Sequence, residues 1–276
     1  MSSRERAPGQ DGKHVPRKRF GQHFLHDPYV LNRIVSSVNP QPGDRVVEIG
    51  PGEGALTKPL LERLSRLTVV EIDRDLAGRL QEAYPPERLD VRLGDALEFD
   101  FAQLEGPLRI VGNLPYNVST PLLFHLAGFA DRVTDMHFML QREVVDRMAA
   151  QASTPEYGRL SVMLQRRFRI DPLFRVAPGA FRPPPKVESA VVRMLPIPAA
   201  EVAPVDEAIF SNVVQRAFAA RRKTLRNGLS GLIDDARLQS AGVDPGLRPE
   251  NITPGQYIKI AMEIATRAAP GKDFAK

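Results

Sequence analysis

The stretch Arg45-Val46-Val47-Glu48-Ile49-Gly50-Pro51-Gly52-Glu53-Gly54 sets the frame for the whole chain. A short apolar run, Arg45 to Ile49, reads as a buried strand and stops in a turn of alternating glycines. Glycine lets the backbone turn tightly and come close to a ligand. Leu56 to Leu64 then reads as a helix, with Pro59 tolerable because it lies near the start. Strand, glycine loop and helix form the opening unit of an open α/β sheet, where ligands lie beyond the carboxyl ends of the strands. Gly50, Gly52 and Ala55 also satisfy G-x-G-x-x-G/A, so a dinucleotide-dependent dehydrogenase is a rival reading of this loop.

Three polar residues end the next three strands. Leu67–Ile72 is the second strand, and Glu71 stands near its end, twenty-one residues after Gly50; that spacing suits a carboxylate bonding ribose hydroxyls. Leu89–Leu93 is the third, running into Gly94-Asp95. Leu108–Gly112 is the fourth, and it is followed by Asn113-Leu114-Pro115-Tyr116. The proline ring keeps Leu114 out of the helical region, so Asn113 projects from a stiff turn beside an aromatic ring. An amide offers a donor and an acceptor, and a tyrosine offers a π-face. Together they suit a nucleobase or another planar amine. A turn in which Asn bonds its own backbone and Tyr packs on the sheet is the plainer alternative for this tetrapeptide alone.

Helices alternate with these strands: Asp27-Pro28 caps one that carries Leu31, Ile34, Val35 and Val38, and Asp75–Ala83, Thr120–Ala127, Glu143–Ala150 and Arg159–Arg166 come after it. A fifth strand spans Met136–Leu140, with more near Phe168–Val176 and Val187–Leu195. The alternation predicts an α/β fold: a mostly parallel, Rossmann-like sheet with helices on both faces. Pro196–Pro204 reads as a linker, and the remainder of the chain reads as all-helical. The expected division is a disordered tail over 1–16, a ligand-binding catalytic domain over 17–200 and a smaller helical domain over 201–276.

At 276 residues the chain is long enough to bury a sizeable core without staples. It has no cysteine, which excludes disulfides, thiolate metal sites and a cysteine nucleophile. His23 and His26 stand three apart with no third ligand evident, so no metal is expected. The formal charge is +5, concentrated in Arg17-Lys18-Arg19, in Arg166-Arg167 with Arg169, and in Arg221-Arg222-Lys223 with Arg226. Such clusters suit a polyanionic partner, with a solvated surface as the alternative for any one of them. No apolar run approaches a membrane span, and residues 1–16 read neither as a signal peptide nor as a transit peptide.

With NLPY following this glycine loop, the chain resembles the S-adenosylmethionine-dependent methyltransferases that act on amino groups. More narrowly, it resembles the small-subunit ribosomal RNA adenine dimethyltransferases, the KsgA family. The resemblance covers about residues 17 to 260 and rests on RKRFGQHFL, VEIGPGEGALT, VEIDRDL, GDAL, GNLPYNVSTPLLFHL, FRPPPKVESAVVRM and AFAARRKTLRN. The last of these helps separate this branch from the related methyltransferases of large-subunit RNA.

The resemblance implies a class I methyltransferase sheet and S-adenosylmethionine as cofactor. It implies that His23 and Leu25 close over that cofactor, that Gly50 approaches its methionine part, that Glu71 binds the ribose hydroxyls and that Asp95 takes the adenine amino group. His23 stands where many members have Asn. Asn113 and the Leu114 carbonyl are implied to accept the two N–H bonds of the target amine, while Tyr116 and Phe181 stack on either face of its base. From their clustered charge, Arg221, Arg222, Lys223, Arg17, Lys18 and Arg19 are expected to bind the RNA. The implied partner is the assembling small ribosomal subunit, met in the cytoplasm by a monomer away from any membrane. Large-subunit RNA methylation and a DNA-handling role like that of mitochondrial transcription factors are the rivals within the same fold.

Overall fold

The computed structural model describes residues 23–268, and only the backbone of the last two; the expected tail over 1–16 and Arg17-Lys18-Arg19 lie outside the described residues. One sheet of seven strands organises the chain. Its members are β2 (Arg45–Ile49), β3 (Leu67–Glu71), β4 (Leu89–Leu93), β5 (Leu108–Asn113), β6 (Val133–Gln141), β7 (Phe168–Val176) and β9 (Ser189–Pro196). They lie in the order β4-β3-β2-β5-β6-β9-β7. The first five pair in parallel, while β9 runs antiparallel between β6 and β7. A second, two-stranded sheet pairs β1 (Phe24–Leu25) with β8 (Phe181–Arg182). Strands this short carry no periodicity, which is why the sequence pattern does not announce them.

The central strands are apolar on both faces because both are covered. Val47 and Ile49 of β2 join Ile110 and Phe138 in one core, beneath α4 (Ser119–Ala127), α5 (Arg142–Ala149) and α6 (Arg159–Gln165). Val46 points the other way, into a core with Ile34 and Val35 of α1 (Pro28–Val38) and Leu60 of α2 (Thr57–Leu61). Leu80 of α3 (Arg74–Ala83) closes that side. The Asp27 carboxylate caps α1 by accepting from the Tyr29 and Val30 amides. α2 is shorter than Leu56–Leu64, because Pro59 removes a donor and the chain tightens so that the Arg63 amide bonds the Leu60 carbonyl.

A third core gathers α7 (Glu207–Ala219), α8 (Leu225–Gly228), α9 (Asp235–Ser240) and α10 (Pro254–Ala268). It reaches back across residue 200 to Ala150, Tyr157 and Val162. The Tyr157 hydroxyl donates to the Ile252 carbonyl at 2.7 Å, so the helical layer is tied to the loop before α6. Among the described residues no helix is long and apolar enough to cross a membrane.

Ile49 and Gly112 are partners where β2 and β5 end. A Cβ on Gly112 would lie 2.6 Å from the Ile49 carbonyl oxygen, a backbone atom that cannot swing aside. Gly112→Ala is therefore expected to cost ~1–3 kcal/mol of overpacking strain, read by chemical denaturation. A variant as stable as the wild type would show that the two strand ends are not held this closely.

Candidate active site

The chain crosses the carboxyl edge of the sheet several times, and each crossing leaves a functional group on one cavity. Gly50 leaves β2 at φ +66°, a left-handed conformation suited to glycine, and a Cβ there would point toward the Asn113 carbonyl at 4.0 Å. Glu71 ends β3; one carboxylate oxygen accepts the Gly52 amide at 3.1 Å and the other accepts the Asp73 amide at 2.9 Å. Burial pushes the Glu71 carboxyl up and the charge of Asp73 adds to this, against the pull of the backbone amides. Asp95 follows β4 and steadies its own turn by accepting from the Leu97 amide at 2.9 Å.

Asn113 ends β5, and the Leu114 amide donates across to the Met139 carbonyl of β6 at 3.1 Å, carrying the turn along the sheet edge. The Asn113 Nδ2 donates to the His23 carbonyl at 2.9 Å. Because that partner can only accept, the amide orientation is fixed and Oδ1 is left as the free acceptor. The Tyr116 hydroxyl shares a hydrogen bond of 2.7 Å with Ser189 Oγ, at the start of β9. Burial pushes the Tyr116 phenol up, against the pull of that bond, so the ring stays neutral.

The β1–β8 pair lays the segment from His23 to Leu25 across this edge. His23 Nδ1 lies 2.8 Å from the Pro183 carbonyl, and its ring faces Tyr116 at 5.5 Å between centroids, tilted by 30°. His23, Leu25, Gly50, Glu71, Asp95, Asn113, Leu114 and Tyr116 all line this one cavity. The donor set fits an adenosyl cofactor: two carboxylates at the ends of β3 and β4, a cradle at Gly50 and apolar walls from Ile49, Val70 and Leu97.

One expected site residue is not brought to the cavity. Phe181 is 2% exposed and packs in the core with Leu25, Ile34 and Val176, because pairing with β1 turns its ring inward. The structure therefore corrects its assignment as a stacking face for the base. Arg221, Arg222 and Lys223 lie apart from the cavity, exposed just after α7, with Arg221 donating to the Pro155 carbonyl at 3.1 Å. Among the described residues no cluster of His, Asp and Glu could hold a metal ion. Sequence reasoning missed Ser189 and Glu48. A serine beginning an apolar strand and an acid inside an otherwise apolar strand were the available signals.

Comparisons with known proteins identify the family and the fold. The sequence pattern described as Ribosomal RNA adenine dimethylase matches residues 13–266. The chain belongs to that family. It is 58% identical over 260 residues to the Ribosomal RNA small subunit methyltransferase A of Chromobacterium violaceum, covering 94% of this chain and 99% of that one. It is 60% identical over 254 residues to the protein of that name from Thiobacillus denitrificans, covering 92% and 100%. Among solved structures, a dimethyladenosine transferase from Plasmodium falciparum shares the fold at TM-score 0.74 and 24% identity, over 89% of this chain and 98% of that one. The 23S rRNA methyltransferase ErmE is similar at TM-score 0.65 and 26% identity, over 88% and 99%. The sheet is that of a class I methyltransferase, and the glycine loop is a methyltransferase loop, not that of a dehydrogenase.

The dimethylase's Tyr116 and Ser189 form one bond, which either Tyr116→Phe or Ser189→Ala removes. Each is expected to cost ~0.5–1.5 kcal/mol, measured by denaturant unfolding. The double variant should lose little beyond the worse single one, since contacting partners are not additive. Full additivity would show that the two hydroxyls act independently.

Proposed function

We propose that the protein transfers methyl groups from S-adenosylmethionine to N6 of two adjacent adenosines near the 3′ end of small-subunit, 16S-type ribosomal RNA. The product is N6,N6-dimethyladenosine, made during small-subunit biogenesis. The observation that carries this reading is the meeting of Asn113 and Tyr116 with Gly50, Glu71 and Asp95 on one cavity. The family membership narrows the substrate to ribosomal RNA adenine, and the relatives named above narrow it to the small subunit.

S-adenosylmethionine supplies an electrophilic methyl on a positively charged sulfur. Glu71 would hold the ribose hydroxyls and Asp95 the adenine amino group, with Gly50 letting the backbone pass close and His23 and Leu25 lying above. The target adenosine has to leave its stack to reach Tyr116, whose face receives it. Its N6 lone pair is delocalised into the ring and attacks poorly. The Asn113 Oδ1, free because Nδ2 is bound elsewhere, would accept one N6 hydrogen and the Leu114 carbonyl the other, drawing the nitrogen toward a pyramidal form. Positioning and fixed dipoles then supply the acceleration.

We assign catalysis to residues 17–200 and docking of the ribosomal particle to residues 201–276, with Arg221, Arg222 and Lys223 meeting phosphates. Exposure and net positive charge support that surface. Arg17, Lys18 and Arg19 are proposed to contribute from the N-terminal side. The protein would act as a monomer in the cytoplasm.

Unmodified small-subunit particles incubated with the protein and the methyl donor should yield dimethyladenosine, detected by mass spectrometry of the digested RNA. Large subunits tested alongside should not; methylation of large subunits alone would overturn the substrate assignment. Asn113→Ala is expected to raise the barrier by ~3 kcal/mol, by analogy with the loss of an oxyanion-hole donor, with RNA affinity nearly intact. Near-normal turnover would remove Asn113 from the chemistry.

Replacing Arg221 and Arg222 together with Ala should weaken binding to the particle. The log–log salt dependence should flatten by about two, roughly one unit per lost phosphate contact. An unchanged slope would return this cluster to the solvated surface.

A further inference from the structure

Tyr29 is the most exposed large apolar side chain among the described residues, at 68%. It stands in the first turn of α1, where the Asp27 carboxylate accepts its amide at 2.8 Å and Pro28 precedes it, so its backbone is fixed. Val30, Ile34, Val35 and Val38 take the buried face of that helix. Tyr29 and Arg33 lie outside that face, one turn apart and therefore neighbours on the helix surface. The Arg33 guanidinium carbon is 5.6 Å from the centre of the Tyr29 ring and 3.8 Å from that of Phe174.

Phe174 comes from β7, the edge strand of the large sheet. A register shift between Pro172 and Phe174 leaves Leu173 as an extra residue, and Leu173 and Phe174 both pack against the core that α1 covers. The bulge thus turns Phe174 toward α1, and the two aromatic rings and the planar cation form one ladder. No Asp or Glu among the described residues pairs with Arg33, so its charge meets ring faces instead. The ladder adjoins the candidate active site: Leu25, just before α1, and Ile34, next to Arg33, both line the cavity.

An exposed ring accepts a base of any identity on its face, and a guanidinium edge bonds phosphate. A nucleotide brings a flat base and an anion in one unit, which matches a ring beside a cation that no acid neutralises. An adenosine that leaves its stack to reach Tyr116 also strips a stacking partner from its neighbours. We propose that Tyr29 and Arg33 form a stacking platform for an unpaired nucleotide of the RNA substrate that flanks the target adenosine, Tyr29 taking the base and Arg33 a phosphate. The inference rests on the methyl-transfer reading of the cavity. The platform makes contacts only, and no bond forms or breaks on it.

Kinetics of the full chain on unmodified small-subunit particles test this. Tyr29→Ala opens no cavity in the core, since the ring is exposed. It should raise the KM for the particle by about tenfold, while the KM for the methyl donor does not move. Tyr29→Phe should restore most of the lost affinity, because stacking needs the ring and not the hydroxyl. Arg33→Ala should lower the log–log salt slope of particle binding by about one. Tyr29→Ala should leave that slope alone, because a stacking contact releases no counterion. An unchanged particle KM in Tyr29→Ala, or an equal rise in both KM values, overturns the proposal and leaves the methyl-transfer reading intact. A wild type that methylates no RNA overturns both.

Photocrosslinking identifies what covers the ring. Tyr29→p-benzoylphenylalanine should crosslink to ribosomal RNA in the bound particle. Crosslinks to ribosomal protein alone, or none from a protein that is still bound, overturn the proposal.

Discussion

The register between β2 and β5 is the constraint on which the site depends. Ile49 pairs with Gly112, and the missing side chain at Gly112 lets the two strand ends lie closer than any other residue would permit. The next residue on one strand is Gly50 and on the other Asn113, so a single backbone contact fixes the distance between the Gly50 turn and the Asn113 amide. Parallel strands flank this pair on both sides, delivering Glu71 and Asp95 to the same edge as Asn113. Burial on both faces makes that register difficult to slip, because a shift of one residue would exchange Val46 for Val47 between two separate cores.

Charge is sorted as sharply as shape. The chain is basic overall, yet the described wall of the cavity at the sheet's carboxyl edge carries four carboxyl groups and no Lys or Arg. The exposed basic run after α7 lies on another part of the molecule. On the function proposed above, a positively charged methyl donor and a polyanionic RNA would each meet a surface of sign opposite to its own. The two carboxyl groups near β2 and β3 cannot both be ionised cheaply when the cavity holds no cation, and the backbone decides between them. Glu71 receives two amide donors, whereas Glu48 receives one hydroxyl.

Most of the sheet was legible because its strands are apolar runs that end in polar or glycine-rich turns. β2, β4 and β7 match the sequence reading residue for residue. So was the convergence of Gly50, Glu71, Asp95 and Asn113, since in a parallel sheet consecutive strand ends share an edge. What escaped depended on contacts far apart in sequence. β1 and β8 are two residues each and exist only because they find one another across more than 150 residues. Phe181 shows the consequence: in FRPPPKV it was expected to stack on the target base, but the pairing of Leu25 with Phe181 turns its ring into the core. Ser189 escaped for the same reason, as its partner Tyr116 is 73 residues away.

The same short pairing gives His23 its place. Its carbonyl takes the Asn113 amide, its ring lies against Tyr116, and its Nδ1 reaches the Pro183 carbonyl. The backbone contact orients Asn113 with its acceptor free, and any residue at position 23 could supply it. The ring contact is specific to the side chain, and with centroids 5.5 Å apart it leaves no room for a base between the two rings. An adenine that stacks on Tyr116 must therefore approach the ring's other face or displace the imidazole. The latter requires breaking only the His23 ring contacts, since the carbonyl that holds Asn113 belongs to the backbone. The Asn113 amide can thus stay oriented while the aromatic face is uncovered.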